Sequence, residues 1–191
     1  MTAPADEIII VSGLPRSGTS MLMQMLGAGG VALLCDAARP PDRLNPRGYF
    51  EYAPVRRIAS GCDWIDAAAG RAVKVVAPLI CQLPAEHAYA ILFIRRRLET
   101  VAASQQRMVE FLHGHAGVAA DWPALLARDE ADSLKWSNSQ RSARLLVVNY
   151  EDCIDNPGRI SLEIARFVRR DLDVGKMSTV VDNSIARAPL K

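Results

Sequence analysis

Short apolar runs alternate along the chain with longer segments in which apolar residues recur every three or four positions. The short runs predict buried strands, and the longer segments predict amphipathic helices between them. We expect strands at Glu7–Ser12, Val31–Cys35, Ala72–Val76, Ala90–Ile94 and Leu145–Asn149. We expect helices at Thr19–Gly27, Pro54–Ser60, Leu98–Leu112, Pro123–Ser142 and Arg159–Arg169. Such an alternation predicts a three-layer α/β fold, with a central five-stranded parallel sheet and helices on both faces.

Length and composition favour one compact enzyme-sized unit. A chain of 191 residues can bury one sizeable core, so we expect a single domain over residues 1–191. The hydrophobic share of 50% is typical of a globular protein, and the formal net charge of +2 does not favour binding to nucleic acid. The scattered cysteines contain no C-x-x-C pair, which favours reduced thiols. Because no membrane span or secretory signal is evident, we expect a cytoplasmic protein without a membrane partner.

The most informative segment is Gly13-Leu-Pro-Arg-Ser-Gly-Thr-Ser20, which joins the first predicted strand to the first predicted helix. Its glycines allow a tight turn whose N–H groups converge, and the helix directs its positive end at the same point. The segment therefore predicts a phosphate-binding loop in a P-loop nucleotide-kinase-like fold. It departs from the Walker A pattern, because Thr19 stands at the lysine position and the basic residue is Arg16.

On these residues the chain resembles the sulfotransferases that use 3′-phosphoadenosine 5′-phosphosulfate (PAPS). In that family the loop reads Pro-Lys/Arg-Ser-Gly-Thr-Thr/Ser and holds the 5′-phosphate. The resemblance implies that this phosphate is held by Pro15, Arg16, Ser17, Gly18, Thr19 and Ser20. It also implies a catalytic role for Arg16 beside the bridging oxygen of the sulfuryl group, where negative charge accumulates. An ordinary strand-to-helix turn is the alternative interpretation.

A second segment matches the family pattern for the 3′-phosphate. Arg96 follows an apolar run, and Ser104 stands eight positions later in the next predicted helix. The resemblance implies that both bind the 3′-phosphate, for which a guanidinium fork and a hydroxyl are suitable donors. Alternatively, Arg95–Arg97 is a solvated run of charge at the end of a strand. Arg187, near the end of the sequence, is a further candidate for this site by similarity to bacterial sulfotransferase-like proteins.

The catalytic groups match the family only in part. Lys74 occupies the family's lysine position on the strand Ala72–Val76, but Val76 stands where cytosolic members carry a catalytic histidine. Since some branches use a glutamate from the segment after the first helix, Glu51 is our candidate base. Its alternative is a surface carboxylate, and that of Lys74 is a strand-end lysine reaching solvent. His87, His113 and His115 are expected to lie in a loop or at a helix end rather than to act in catalysis.

The resemblance implies an enzyme that moves a sulfuryl group from PAPS to a hydroxyl or amine of a small-molecule acceptor, leaving adenosine 3′,5′-bisphosphate (PAP). No cluster of metal ligands appears in the sequence, so we expect no metal requirement. The acceptor is expected to contact the variable segments Ala37–Tyr52 and Leu112–Ser139. Two other functions stay open: a P-loop small-molecule kinase, and a catalytically silent protein that binds PAP or PAPS.

Overall fold

A computed structural model describes residues 6–43, 45–113 and 121–181. Its five strands are β1 (Ile8–Gly13), β2 (Leu33–Leu34), β3 (Ala72–Lys74), β4 (Tyr89–Arg95) and β5 (Ala143–Asn149). They form one sheet in the order β2-β3-β1-β4-β5, and every neighbouring pair is parallel. The predicted α/β class and the five-stranded parallel sheet are therefore confirmed.

In these described ranges, six α-helices surround the sheet. They are α1 (Thr19–Ala28), α2 (Leu98–His113), α3 (Trp122–Ser139), α4 (Tyr150–Asp155), α5 (Pro157–Val168) and α6 (Val174–Thr179). Four of them match predicted helices to within three residues at either end, whereas the fifth prediction is a 3₁₀ helix at Ala53–Ser60. Helices α4 and α6 were not predicted, because six residues are too few to show a helical period.

The sheet is buried on both faces by two separate apolar clusters. Along β1, Ile8 and Ile10 belong to one cluster, while Ile9 and Val11 belong to the other. Helices α2 and α3 pack against the first cluster, together with 3₁₀ helices at Ala53–Ser60, Ile65–Ala68 and Leu79–Gln82. Helices α1, α5 and α6 pack against the second cluster. This alternation of neighbouring side chains explains why a fully buried parallel strand appears in the sequence as an uninterrupted apolar run.

Strand β2 is shorter than predicted at both ends, because the N–H of Val31 donates to the carbonyl of Leu26 in α1 and the chain turns away at Asp36. One carboxylate oxygen of Asp36 accepts from the N–H of Ala38, and the other accepts from the N–H of Ala53. The N–H of Asp36 in turn donates to the carbonyl of Glu51 at 2.9 Å. The segment from Asp36 to Tyr52 is therefore a loop whose two ends are held together beside the sheet. We call it the 36–52 loop.

The carboxyl ends of the strands lie on one edge of the sheet, because all of the strands are parallel. This edge carries the loop that follows β1, Lys74 at the end of β3, and Arg96 directly after β4. Such edges are where open α/β sheets bind their ligands. Within the part of the chain that the structure describes, no helix is long and apolar enough to cross a membrane.

Candidate functional site

The predicted phosphate-binding loop, residues 13–20 and here called the phosphate loop, has the backbone conformation that its glycines permit. Gly13 and Gly18 have φ values of 141° and 113°, and Arg16 also has a positive φ of 72°. A Cβ atom at Gly13 would lie 2.4 Å from the carbonyl oxygen of Ile94, and one at Gly18 would lie 2.6 Å from the ring of Tyr150. The loop can approach β4 and α4 this closely only because both positions are glycine.

The loop leads into the N-terminus of α1, and Gly18 is its N-cap residue without a capping side chain. The first N–H groups of a helix have no partner within it, so this end of α1 offers donors and a positive dipole to an anion. The N–H of Ser17, by contrast, has a partner within the loop, since it donates to the carbonyl of Leu14 at 3.1 Å. Its hydroxyl is buried and has no hydrogen-bond partner among the described residues.

Arg16, Ser104 and Arg96, three candidate phosphate ligands, lie together. The Nε of Arg16 donates to the hydroxyl of Ser104 at 3.0 Å, and Arg96 donates to the carbonyl of Arg16 at 3.4 Å. The Arg96 guanidinium also lies over the ring of Tyr150, 4.1 Å from its centre. Burial lowers the pKa of Arg16, but a guanidinium stays protonated at neutral pH. Two cations and a hydroxyl thus meet beside the loop.

The neighbouring arginines of the same run point to other partners. Arg95 donates to the buried carboxylate of Glu130 at 2.7 Å, and Arg97 lies 3.5 Å from Glu151. Of the three consecutive arginines, Arg96 is therefore the one that contacts the phosphate loop. The alternative interpretation, that Arg95–Arg97 is a solvated run of charge, fits Arg97, whose side chain is 76% exposed.

Lys74 and Glu51, the other candidate catalytic residues, also lie together. The Nζ of Lys74 is 3.7 Å from Oε1 of Glu51, although the two residues come from β3 and the 36–52 loop. Two arginines contact the same carboxylate: Arg39 at 3.2 Å and Arg56 at 2.6 Å. Glu51 is therefore half-buried within a group of three cations rather than a solvated surface carboxylate.

The carbonyl oxygen of Tyr49 connects this ion-paired group to the phosphate loop. It accepts from the Nζ of Lys74 and from the hydroxyl of Ser20, the latter at 3.2 Å. Ser20 in turn accepts from the side-chain amide of Asn45 at 3.1 Å. The 36–52 loop is thus attached to the start of α1, and the two groups of candidate residues form one continuous site.

Charge and burial shift the pKa values of both ionisable partners. Burial alone would raise the pKa of Glu51, but the hydrogen bond from Arg56 and the charges of Lys74 and Arg39 outweigh it and lower that pKa. For Lys74, burial is the largest effect and lowers its pKa to about 8 despite the nearby carboxylate. At neutral pH Glu51 is therefore ionised, and Lys74 is charged but close to titration.

The histidines lie away from this site or outside the described residues. His87 precedes β4, so it lies at the opposite edge of the sheet, where its ring is 6.3 Å from that of Tyr89. His113 is the last residue of α2, while His115 and the candidate phosphate ligand Arg187 fall outside the described ranges. Within those ranges, no group of three histidine, cysteine or carboxylate side chains could hold a metal ion.

Solved structures with a similar chain path include sulfotransferases. Mouse sulfotransferase SULT7A1, solved in complex with PAP, matches with a TM-score of 0.57 at 15% identity, over 98% of this chain and 68% of its own length. This is the sulfotransferase fold. Retinol dehydratase in complex with androsterone and the inactive cofactor PAP matches with a TM-score of 0.50 at 15% identity, over 93% of this chain and 63% of its own.

A third structure, the sulfotransferase domain from the curacin biosynthetic pathway, has a TM-score of 0.49 and 17% identity, over 100% of this chain and 95% of its own length. No family model matches the sequence, and no curated protein is similar to it. The likeness to sulfotransferases therefore lies in the fold, while the chemistry must be argued from the side chains of the site.

Sequence reasoning missed three residues that shape the site: Arg39, Tyr49 and Arg56. All three lie in or next to the 36–52 loop, which has no hydrophobic period from which their positions could be inferred. The turn signal Asn45-Pro-Arg-Gly48 indicated a bend in this segment but not the direction in which it returns. Their role depends on packing between the loop, the 3₁₀ helix at Ala53–Ser60 and β3.

Proposed function

We propose that this chain is a PAPS-dependent sulfotransferase that acts on a hydroxyl or amine of a small-molecule acceptor. The observation that carries the proposal is the convergence of Arg96 and Ser104 on Arg16 of the phosphate loop. A nucleotide with phosphates at both its 5′ and 3′ positions needs two anion sites next to each other. The start of α1 supplies the first, and the guanidinium of Arg96 with the hydroxyl of Ser104 supplies the second.

The residues of the loop fit such a donor. Gly18 is an N-cap without a capping side chain, so the first N–H groups of α1 remain available to a phosphate. The hydroxyls of Thr19 and Ser20 follow directly in the first turn. The N–H of Ser17 closes the turn onto the carbonyl of Leu14, and Pro15 lies within that turn. Arg187 is a candidate for a further contact with the 3′-phosphate.

PAPS supplies a sulfuryl group attached to a phosphate that is a good leaving group. During transfer the acceptor oxygen or nitrogen forms a bond to sulfur, and the bond between sulfur and the bridging oxygen breaks, its electron pair remaining on the phosphate. Glu51 takes the proton that the acceptor loses. Arg16 and Lys74 stabilise the negative charge that develops on the bridging oxygen. A charged Lys74 is held near the site by Glu51 and by the carbonyl of Tyr49.

A catalytically silent protein that binds PAP or PAPS is the second candidate, favoured by Val76 at the histidine position and by the three cations that hold Glu51 ionised. A P-loop kinase is disfavoured by Thr19 at the position of the Walker lysine.

Calorimetric titration with PAP, with PAP plus a chelator, and with ATP·Mg²⁺ separates the nucleotide classes, and a transfer assay with PAPS and a broad acceptor panel separates enzyme from binder. We expect PAP to bind equally with and without the chelator and more tightly than ATP·Mg²⁺. Preference for ATP·Mg²⁺ would favour the kinase, and PAP binding without any transfer would favour the silent protein.

A further inference from the structure

Arg39 has a fixed orientation inside the site. The Cζ atom of its guanidinium lies over the ring of Tyr49, 3.5 Å from the ring centre, and the Tyr49 hydroxyl donates to Asp42 at 2.7 Å. The Nη1 of Arg39 donates to Glu51 at 3.2 Å, and its Nη2 points to the sulfur of Met108 at 3.6 Å. The 36–52 loop thus holds this side chain against α2, one helical turn beyond Ser104.

The Nη2 of Arg39 lacks a good acceptor. A thioether sulfur accepts hydrogen bonds only weakly, and across the described ranges this nitrogen contacts no oxygen atom at hydrogen-bond distance. The side chain is also 29% exposed, so a ligand in the site can reach it. A planar guanidinium in such a position is suited to an oxyanion, which its parallel N–H groups bind through two oxygens.

The three cations that contact Glu51 differ in how accessible they are to a ligand. The side chain of Lys74 is only 5% exposed and is held by the Tyr49 carbonyl. Arg39 and Arg56 are accessible, at 29% and 57% exposure. Neither is among the residues proposed to hold the phosphates of the nucleotide. Two further carboxylates lie nearby, since Arg56 also interacts with Asp36, and Asp42 accepts from the hydroxyl of the tyrosine on which Arg39 lies. Arg39 still offers an accessible guanidinium where the acceptor would approach Glu51.

We propose that the acceptor carries an oxyanion, either a carboxylate or a phosphate, and that Arg39 binds it while the reacting group of the acceptor faces Glu51. This inference rests on the proposed function, because it takes Glu51 to be the base. It assigns Arg39 to substrate specificity and narrows the acceptor to acidic hydroxy or amino compounds.

The same contact would make Glu51 a better base. When Arg39 binds the acceptor oxyanion, its electrostatic interaction with Glu51 would weaken. Arg56 and Lys74 would then be the cations that face the Glu51 carboxylate. Because the charge of Arg39 is one of the causes that lower the pKa of Glu51, its partial withdrawal raises that pKa. With a neutral acceptor, all three cations would continue to face Glu51 and its pKa would stay low. We therefore expect a neutral acceptor to bind more weakly than an anionic one and to lose its proton to Glu51 less readily.

The test uses simple probes, so that no acceptor has to be known. Benzoate, phenyl phosphate and benzamide are titrated into the chain with and without saturating PAP, and binding is followed by ligand-observed NMR. We expect benzoate or phenyl phosphate to bind at least about tenfold more tightly than benzamide. The difference between the two anions identifies the carboxylate or the phosphate as the preferred group.

Variants of Arg39 locate the effect. Arg39→Gln should abolish the preference for the anions, whereas Arg39→Lys should retain part of it. Arg128→Gln is the matched control, since Arg128 is 80% exposed on α3 and outside the site. Thermal unfolding and PAP affinity establish that each variant is folded. If Arg39→Gln does not fold, the inference is tested by the anion preference of Arg39→Lys and by the comparison of the three probes on the unaltered chain.

Equal binding of benzamide and both anions, no binding of either anion, or an unchanged preference in Arg39→Gln would overturn the inference. Its failure is distinguishable from failure of the proposed function. PAP binding without a preference for anions refutes the Arg39 site alone. An Arg39-dependent preference in a chain that does not bind PAP refutes the nucleotide site instead.

Discussion

Arg16 donates through Nε to the hydroxyl of Ser104 at 3.0 Å, so a residue of the phosphate loop contacts a residue of α2 that lies 88 positions later in the chain. Arg96 completes the group by donating to the carbonyl of Arg16. The two segments proposed to hold the 5′-phosphate and the 3′-phosphate of the nucleotide are thus in direct contact. The two proposed phosphate sites therefore share Arg16 as a common neighbour.

The geometry of the phosphate loop depends on Gly18, so Gly18→Ala should destabilise the chain. A methyl group there would lie 2.6 Å from the Tyr150 ring, at a φ of 113°. We expect a loss of about 2 kcal/mol or more in the free energy of unfolding, measured with urea, together with weaker PAP binding. Gly158→Ala is the control, since nothing lies within 4 Å of a Cβ atom at that helical position. It should be neutral or stabilise by up to about 1 kcal/mol. Equal losses in the two variants would contradict the close approach of the loop to Tyr150.

Much of the framework could be predicted from the sequence because it depends on local patterns. The buried runs of β1 and β4, the glycine turn and the spacing of Arg96 and Ser104 are readable from neighbouring residues. The surroundings of Glu51 could not be predicted in this way, because three different segments bring Arg39, Arg56 and Lys74 to it. Helices α4 and α6 are too short to produce a period, and their positions depend on packing against β5, α5 and α1.

Glu51 is proposed to be the base, so Glu51→Gln should lower the rate constant of sulfuryl transfer by about 10²–10⁴-fold. Glutamine retains the shape of the side chain but cannot take the acceptor's proton at neutral pH. PAP affinity, measured by calorimetry, should change little. Glu163→Gln on α5 is the matched control, with a side chain that is 46% exposed and outside the site. Full turnover by Glu51→Gln would exclude this carboxylate as the base.

Lys74 should set the basic limit of the pH profile. Burial lowers its pKa to about 8, so the ammonium is present below that pH and is lost as the pH rises through it. If the charge of Lys74 supports the leaving group, kcat/KM should fall above about pH 8. The acidic limit should lie below the ordinary glutamate pKa of about 4.3, because neighbouring cations lower the pKa of Glu51.

Lys74→Arg provides the control for this assignment. An arginine keeps its charge in this pH range, so any activity that the variant retains should no longer decline near pH 8. An unchanged decline in Lys74→Arg would assign the basic limit to another group.

At the other edge of the sheet, Arg144 should matter for stability alone. It contacts both carboxylate oxygens of Glu7, at 3.1 Å and 2.6 Å, and also donates to the carbonyl of Phe167. Arg144→Ala would leave the Glu7 carboxylate buried without this partner, and we expect a loss of about 3 kcal/mol in the free energy of unfolding. Arg128→Ala removes an arginine that is 80% exposed and should change stability by no more than about 0.5 kcal/mol. PAP affinity at a temperature where both variants are folded should be unchanged, and a large loss of affinity in Arg144→Ala would contradict this separation.

The most direct test of the nucleotide site compares PAP with adenosine 5′-phosphate, which lacks the 3′-phosphate, on the unaltered chain and on Arg96→Ala. Thermal unfolding controls for loss of structure, since Arg96 also contacts the loop carbonyl and Tyr150. We predict that Arg96→Ala weakens PAP binding by about 2 kcal/mol or more, because a charge-assisted contact is lost, and leaves adenosine 5′-phosphate binding nearly unchanged. Equal weakening of both nucleotides, or no weakening of either, would contradict the assignment of Arg96 to the 3′-phosphate.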